Sequence, residues 1–330
     1  MSTFTVRPPW YAAAVWAFGE QDVVAAGTSG RRWHNGRYVP DGSQLGVRVM
    51  SAVGSDNVYA LGYYESIEHW VNDDPPTIEH SGLTQLLDIW AADASHIFAG
   101  GFSDASPDAP GGEVWFSSGD GQWTQAATIL RTVIAIRGSA ADDVFAVGSG
   151  IAHLTGGTWR NEPTPADHVW NSVWATRTTT GQAAWVGGDD ASNPTKPYGD
   201  GIVARSAGDG QWTESRIDLG DPVLWGTSEM DLYIAEGNWV GGACKFRRWD
   251  GASWVPFPSP PGCTRGILAA HSVAPGDFFV VVDGGHIGHF WDGAWTVIDP
   301  SDPGETMTVT ETGRESVAID GYTSCSLDPR

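Results

Sequence analysis

The chain has 330 residues and carries 40 acidic against 18 basic side chains, which gives a formal net charge of −22 at neutral pH. This charge argues against a nucleic-acid partner, because phosphates require a positive surface, whereas it permits a cationic ligand or metal ions. Hydrophobic residues make up 41% of the chain, enough for a core, and no apolar stretch approaches the length of a membrane span. The composition, with 43 glycines, favours one β-rich domain over residues 1–330.

A short hydrophobic run that ends on or near a glycine occurs eight times along the chain. The first hydrophobic residues of the eight copies are Val23, Val58, Ile97, Val144, Ala184, Leu232, Phe278 and Val317. Their successive intervals are 35, 39, 47, 40, 48, 46 and 39 residues. Repeats of roughly 40–45 residues are typical of four-stranded propeller blades, and the β-branched and aromatic runs broken by Gly, Asp, Asn and Pro indicate strands and turns.

Each repeat also contains a second regular position, seven residues before its first hydrophobic residue. In chain order this position holds Trp16, Ser51, Trp90, Arg137, Trp225, His271 and Thr310, and Trp174 fits if its turn is longer. The preceding residue is always apolar, which predicts an inner strand buried on both faces. Asn-Gly and Asp-Gly pairs later in the repeats predict hairpins between the outer strands, because both central residues must tolerate positive φ.

These spacings predict an all-β fold, a β-propeller of eight four-stranded blades. The last repeat is one strand short, and residues 3–9 form a surplus strand, so we expect the N-terminus to complete the last blade and protect its edge. The alternative is seven blades followed by a C-terminal tail.

The best copies of the repeat, Leu224–Ser228 and Asp143–Gly148, resemble motifs of bacterial propeller repeat proteins that are abundant in myxobacteria. The resemblance covers nearly the whole chain. Those relatives are mostly uncharacterised surface or secreted proteins, so the resemblance implies the propeller fold rather than an activity.

The cellular compartment is left open by the sequence. Residues 1–6 are polar and do not form a signal peptide, so the protein is either cytosolic or extracytoplasmic after removal of a leader. In the predicted fold Cys244 and Cys263 lie on the same face, so a disulfide between them is plausible and would favour an oxidising compartment. Cys325 would remain as a single thiol.

The predicted loops are long on one face of the ring, here called the top face, where the inner strands begin. The segments that follow Gly101, Gly188 and Ala235 are long, whereas the predicted bottom hairpins are short. Long loops on a rigid scaffold commonly carry binding residues, although neutral insertion is the alternative.

Aromatic and acidic residues of the top loops suit a carbohydrate, peptide or small-molecule ligand, since aromatic faces stack on sugars or hold cations. The candidate ligand-binding residues are Trp170, Trp239, Tyr198, Asp190 and Glu236. Clustered carboxylates also suit Ca²⁺, and imidazoles brought to the channel mouth suit a transition metal. The candidate metal ligands are His80, His168, His286 and Asp189.

His271 and Arg137 replace the tryptophan of the inner-strand position, and they are the candidate catalytic residues. Nucleophile-elbow, phosphate-loop and His-Glu-x-x-His motifs are absent from the sequence. We therefore expect a non-enzymatic recognition module. The alternatives are a metal-assisted or acid–base hydrolase, lyase or cyclase at the mouth of the axial channel, and a scaffold for protein assembly.

Overall fold

The structure, a computed structural model, describes residues 12–19, 22–27, 31–34, 37–40, 46–62, 66–72, 74–80, 85–103, 111–164, 168–178, 181–190, 201–237, 244–282 and 285–298. This part of the chain forms 28 strands in seven antiparallel four-stranded sheets. In every sheet the spatial order of the strands is their order along the chain. Each sheet is called a blade below.

The bounds of the strands in the first four blades are as follows. Blade 1 contains β1 (Ala12–Gly19), β2 (Asp22–Gly27), β3 (Arg31–His34) and β4 (Arg37–Pro40). Blade 2 contains β5 (Val47–Gly54), β6 (Asn57–Gly62), β7 (Ser66–Val71) and β8 (Thr77–His80). Blade 3 contains β9 (Gln85–Asp93), β10 (His96–Phe102), β11 (Gly112–Ser117) and β12 (Thr124–Thr128). Blade 4 contains β13 (Val133–Ala140), β14 (Asp143–Gly148), β15 (Ile151–Thr155) and β16 (Thr158–Glu162).

The remaining three blades have the same order. Blade 5 contains β17 (Val169–Thr178), β18 (Gly181–Asp189), β19 (Gly201–Ser206) and β20 (Trp212–Ile217). Blade 6 contains β21 (Val223–Ser228), β22 (Asp231–Ala235), β23 (Phe246–Trp249) and β24 (Trp254–Phe257). Blade 7 contains β25 (Ile267–Ala274), β26 (Asp277–Val282), β27 (Ile287–Trp291) and β28 (Ala294–Ile298).

The first strand of every blade borders one central cavity of about 230 Å³. Its walls include Trp16, Arg48, Asp88, Arg137, Asn171, Leu224 and Ala270, one from each inner strand. The blades therefore surround a common axis, and the predicted all-β propeller is confirmed.

The preference for eight blades is not supported, because blade 7 packs directly against blade 1. Ala17 of β1 donates its N–H to Nδ1 of His271 on β25 at 3.2 Å, and the rings of Trp16 and His271 lie 4.2 Å apart. A hydrophobic cluster of both blades, which includes Val15 and Phe279, fills the same boundary. The predicted eighth unit (residues 306–325) and the predicted N-terminal strand (residues 3–9) lie outside the described residues.

The repeated glycine has a steric cause. A Cβ on Gly148 would lie 2.0 Å from the carbonyl oxygen of Thr132, and one on Gly101 would lie 2.0 Å from that of Gln85. In each case the oxygen belongs to the chain at the start of the neighbouring inner strand. At Gly101 and Gly148 the second strand can therefore approach the inner strand this closely only because the side chain is a hydrogen atom.

Boundaries between neighbouring blades, called seams below, hold the core. Each of the seven hydrophobic clusters of the described residues lies at one seam. Polar side chains of inner strands add hydrogen bonds to the next blade. Ser51 accepts the N–H of Ala91 at 2.9 Å, and Ser172 accepts that of Leu224 at 2.9 Å. A polar residue at a buried repeat position is thus satisfied by the neighbouring blade.

The Cys244–Cys263 disulfide is present, with 5.6 Å between the two Cα atoms. It joins the segment just before β23 to the loop that leads into β25, so it ties blade 6 to the start of blade 7. Cys325 lies outside the described residues.

Replacing Ser51 by alanine should destabilise the ring, because the buried N–H of Ala91 loses its acceptor. An unsatisfied buried donor costs about 1–3 kcal/mol of unfolding free energy, so the denaturation midpoint in urea should fall. The control is Ser118→Ala, since Ser118 is exposed. Equal midpoints for the two variants would contradict the assigned role of the hydroxyl.

Candidate functional site

The two candidate catalytic residues hold inner strands together. Nη1 of Arg137 donates to Oδ2 of Asp88 at 2.6 Å and to the carbonyl oxygens of Ile89 and Ile136 at 3.2 and 2.6 Å. Burial, with the nearby charge of Arg137, lowers the pKa of His271 to about 3. The His271 ring is therefore neutral at neutral pH while its Nδ1 accepts an N–H from blade 1, which is the state of a structural histidine. Catalysis by either residue stays a prediction.

Asp189 belongs to a pair of carboxylates at the top face, with Asp221 as its partner. Nδ2 of Asn171 donates to both, at 3.0 Å to Oδ2 of Asp189 and at 2.7 Å to Oδ1 of Asp221. The N–H of Asp221 also donates to Oδ1 of Asp189 at 3.1 Å. Burial, followed by the charge of Asp189, raises the pKa of Asp221 to about 6, and burial raises the pKa of Asp189.

The candidate residues Asp190 and His168 form a second top-face group in blade 5. Asp190 is buried and pairs with the exposed Arg216. Nδ1 of His168 lies 3.7 Å from Asp190, and its Nε2 lies 3.2 Å from Glu214. The His168 ring also meets the ring of Trp170 edge-on at 5.5 Å.

Trp170 lies inside the protein rather than in an exposed loop. Its side chain is 0% exposed and packs with Phe145, Val173 and Trp212 at the seam between blades 4 and 5. A register shift in β17 between Trp170 and Ser172 accompanies this placement. The observed role of Trp170 is packing, and ligand contact by this residue stays a prediction.

Glu236 is 4% exposed and its Oε2 has no hydrogen-bond partner. Burial raises the pKa of Glu236, although the nearby Lys245 opposes the shift. His286 is described, and its carbonyl oxygen accepts the N–H of Val282 at 2.9 Å. Trp239, Tyr198 and the side chain of His80 lie outside the described residues.

The candidate metal ligands are not assembled into one group in the part of the chain that the structure describes. Across those residues, no set of three or more His, Cys, Asp or Glu side chains is placed to hold a metal ion. Within the same residues, no helix is long and apolar enough to cross a membrane.

A histidine network recurs at the outer part of the blades. In three blades a third-strand histidine stacks on a second-strand aromatic ring: His69 on Tyr59, His153 on Phe145 and His289 on Phe279, at 4.1, 4.0 and 4.0 Å. Each histidine also bonds the first residue of its second strand, which is Asn57, Asp143 or Asp277, at 2.9, 2.8 and 2.8 Å.

In two blades this network extends across the seam through a fourth-strand glutamate. Glu79 bonds His69 at 3.1 Å and accepts the indole N–H of Trp123 in blade 3 at 2.7 Å. Glu162 likewise bonds His153 at 3.0 Å and accepts the indole N–H of Trp212 in blade 5 at 2.6 Å. A charge-assisted hydrogen bond of this kind fastens the outer ends of neighbouring blades.

The seam between blades 5 and 6 lacks this bridge, as do the seams that follow blades 3 and 6, where Ala126 and Phe257 occupy the position of the glutamate. The strand registers place Arg205 at the position of the histidine, paired with Trp185 in place of the other aromatic rings. The strand partner of Arg205 is Thr213, and Ser215 lies two residues farther along the same strand. Ser215 therefore occupies the position that Glu79 and Glu162 occupy in blades 2 and 4. Trp254 of blade 6 corresponds to Trp123 and Trp212, so a tryptophan is present and the bridging carboxylate is not.

A groove of about 690 Å³ opens at this seam. It runs along β20 on one side and along β23 and the turn between β23 and β24 on the other. Its aromatic lining consists of Trp185, Trp249 and Trp254, in which neighbouring rings lie 6.4 and 5.4 Å apart. Trp249 and Trp254 are partly exposed, whereas Trp185 is buried. The polar lining includes Arg205, Asp209, Gln211, Thr213, Ser215, Arg216, Asp218 and Arg247.

Sequence reasoning did not identify the groove. The signal that could have revealed it is the presence of Arg205 and Ser215 at the positions where blades 2 and 4 carry histidine and glutamate. Because the aromatic and histidine positions are ten residues apart in blade 2 (Tyr59, His69) but eight apart in blade 4 (Phe145, His153), fixed spacing does not reveal the correspondence.

Replacing Asp221 by asparagine should stabilise the protein above pH 6. A carboxyl whose folded pKa is raised to about 6 opposes folding when ionised, so its penalty is full above pH 6 and vanishes below its unfolded pKa near 4. We expect a gain of about 1–2 kcal/mol at pH 8 and little at pH 4.5. Asp292→Asn is the control, because Asp292 is exposed and has a similar φ, 47° against 48°. A gain that is independent of pH would contradict the prediction.

His153 should make the stability of the protein fall as the pH rises above neutrality. Burial alone would lower the pKa of His153, but its bonds to Asp143 and Glu162 raise it to about 9. The stabilisation is therefore complete below pH 6.5 and lost as the pH rises to about 9. Thermal melting of His153→Gln should show a flatter profile over this range, by about 1–2 kcal/mol after solvent screening. The exposed His96→Gln should retain the wild-type profile, and identical profiles for both variants would refute the assignment.

No family model matches the chain, and no curated protein matches its sequence. Solved structures match its fold. YCF48 bound to a peptide has 11% identity and a TM-score of 0.59, over 86% of this chain and 93% of that one. The WD40 β-propeller domain of Doa1 has 11% identity and a TM-score of 0.60, over 87% and 92%. The Niastella koreensis GH74 enzyme has 14% identity and a TM-score of 0.59, over 85% of this chain and 52% of that one. At these identities the likeness establishes the propeller fold alone.

Proposed function

We propose that this protein is a recognition propeller that binds an extended segment of a protein partner in the groove between blades 5 and 6. The observation that supports this function is the open seam itself, where Ser215 replaces the bridging glutamate of blades 2 and 4. The other blades serve as a rigid ring that holds the two walls of the groove in place.

The dimensions of the groove suit a short peptide. Its volume of about 690 Å³ falls within the roughly 300–1,000 Å³ of ordinary ligand sites. One wall is β20, whose six residues span about 20 Å at about 3.3 Å per residue. An extended ligand of about six residues would therefore lie alongside this strand.

The lining favours a peptide over the other predicted ligands. Trp249 and Trp254, which are partly exposed, offer large, rigid apolar surfaces, the residue type that dominates binding energy in protein interfaces. Thr213 and Ser215 alternate along β20, Gln211 directly precedes this strand, and all three supply hydrogen-bonding groups beside the tryptophans. YCF48, a propeller of similar fold, has been solved with a bound peptide, which supports the capacity of this architecture for peptide binding.

The top-face loops remain a separate prediction. Carbohydrate or small-molecule binding there depends on Trp239 and Tyr198, which lie outside the described residues. The enzyme alternative has less support, because Arg137 and His271 are engaged in bonds between blades.

A random heptapeptide library displayed on phage and selected against the purified protein tests the proposal. Ser215→Gln should weaken binding of the selected peptides at least tenfold, because a long amide side chain fills the groove and reaches Trp254 as Glu162 reaches Trp212. The affinity loss corresponds to about 1.4 kcal/mol. Isothermal titration calorimetry measures it.

Thr158→Gln is the matched control, since Thr158 is an exposed residue on the outer strand of blade 4. It should leave peptide affinity unchanged. Selected peptides that bind Ser215→Gln and the wild type equally would overturn the proposed site, and so would a library from which no peptide is enriched.

A further inference from the structure

We infer that the groove between blades 5 and 6 selects an acidic peptide, with a carboxylate side chain at Arg247 beside an aromatic side chain on the tryptophan wall. This inference rests on the proposed function and specifies the chemistry of its ligand. It concerns charge, whereas the proposed function concerns the groove as a binding surface.

The groove is a basic feature of a strongly acidic protein. Three of the chain's 18 basic residues, Arg205, Arg216 and Arg247, line it, against the two carboxylates of Asp209 and Asp218. The chain as a whole carries a net charge of −22. An acidic segment would be repelled by most of this surface and attracted here, so the charge contrast favours one site on the ring.

Most charged groups of the lining already have partners. Arg216 pairs with the buried Asp190, and Lys245 pairs with Asp218 at 3.0 Å. The carboxylate of Asp209 accepts the N–H of Gln211 at 3.0 Å within its own turn. Ion pairs thus offset the charges of Arg216 and Asp218, whereas the carboxylate of Asp209 keeps its charge.

Arg247 differs from them. Its Nε atom is buried and has no hydrogen-bond partner. Arg247 and Trp249 are two residues apart on β23, so they project from the same side of the strand, and both line the groove. A buried donor without a partner costs free energy, and a ligand carboxylate would satisfy it through the paired hydrogen bonds that a guanidinium forms with carboxylates.

Arg205 is fixed at the groove wall, where Glu229 already offsets its charge. Its guanidinium lies over the Trp185 ring, 4.9 Å from the ring centroid, and bonds Glu229 of blade 6 at 3.0 Å. Stacking on the indole restricts its rotamers, so the cation is preorganised at the groove wall. Arg247, whose Nε has no partner, is therefore the cation left for a ligand carboxylate, and Trp249 lies beside it for an aromatic side chain.

Four peptides with blocked ends test this inference by isothermal titration calorimetry. The parent is Gly-Glu-Phe-Glu-Gly, and the others replace both glutamates by glutamine, replace both by lysine, or replace phenylalanine by alanine. We expect the parent to bind at least tenfold more tightly than the glutamine and alanine peptides, and the lysine peptide to bind most weakly. The preference over glutamine should shrink between 50 mM and 500 mM salt, since exposed charges are screened.

Arg247→Gln should remove the preference of the parent over the glutamine peptide, because the cation that holds the ligand carboxylate is lost. Arg247→Lys should restore part of the preference, because the charge is kept and the paired geometry is lost. The control Arg160→Gln removes an exposed arginine of blade 4 and should change nothing. All variants are compared by thermal melting to establish that they are folded.

The outcomes separate the inference from the proposed function. Equal binding of the glutamate and glutamine peptides, both weakened by Ser215→Gln, would overturn the acidic preference and leave the groove as a peptide site. Tightest binding of the lysine peptide would overturn the inference in the same way. Failure of all four peptides, together with a phage library that yields none, would overturn both.

Discussion

Radial sheets diverge with distance from the axis, so the outer part of every seam must be filled by side chains that reach across it. Near the axis the inner strands meet directly, and hydrogen bonds such as Ser51 to Ala91 join them. Farther out, blades 2 and 4 use a glutamate that holds both a histidine of its own blade and a tryptophan of the next. The seam between blades 5 and 6 carries a serine at that position, and a groove remains. The proposed binding site thus lies at a seam that lacks the glutamate bridge of blades 2 and 4.

The features that follow from repetition could be predicted from the sequence. The glycine at the end of the second strand recurs because a side chain there would strike the neighbouring inner strand, as at Gly148. Its spacing was therefore enough to locate five of the described second strands and the propeller architecture. The disulfide between Cys244 and Cys263 also followed, because strand order alone placed both cysteines at the same face.

Features that depend on side-chain direction could not be predicted in this way. Trp170 lies off the repeat's tryptophan position, yet a register shift in β17 turns it into the core. His271 and Arg137 interrupt the tryptophan position and looked like a site, but the neighbouring inner strands supply their partners. The groove lies beside Ser215, at the position where blades 2 and 4 carry a glutamate. A spacing pattern identifies the residues that recur in every repeat, so it does not reveal a substitution in a single blade.

The most direct measurement is a crystal structure of the protein with a peptide from the phage selection. The account predicts an extended chain between β20 and β23, with an aromatic side chain against Trp249 and Trp254 and a carboxylate within 3.2 Å of the Arg247 guanidinium, a distance within hydrogen-bond range. A peptide bound at the top face or in the axial channel, with the blade 5–6 groove occupied only by solvent, would contradict it.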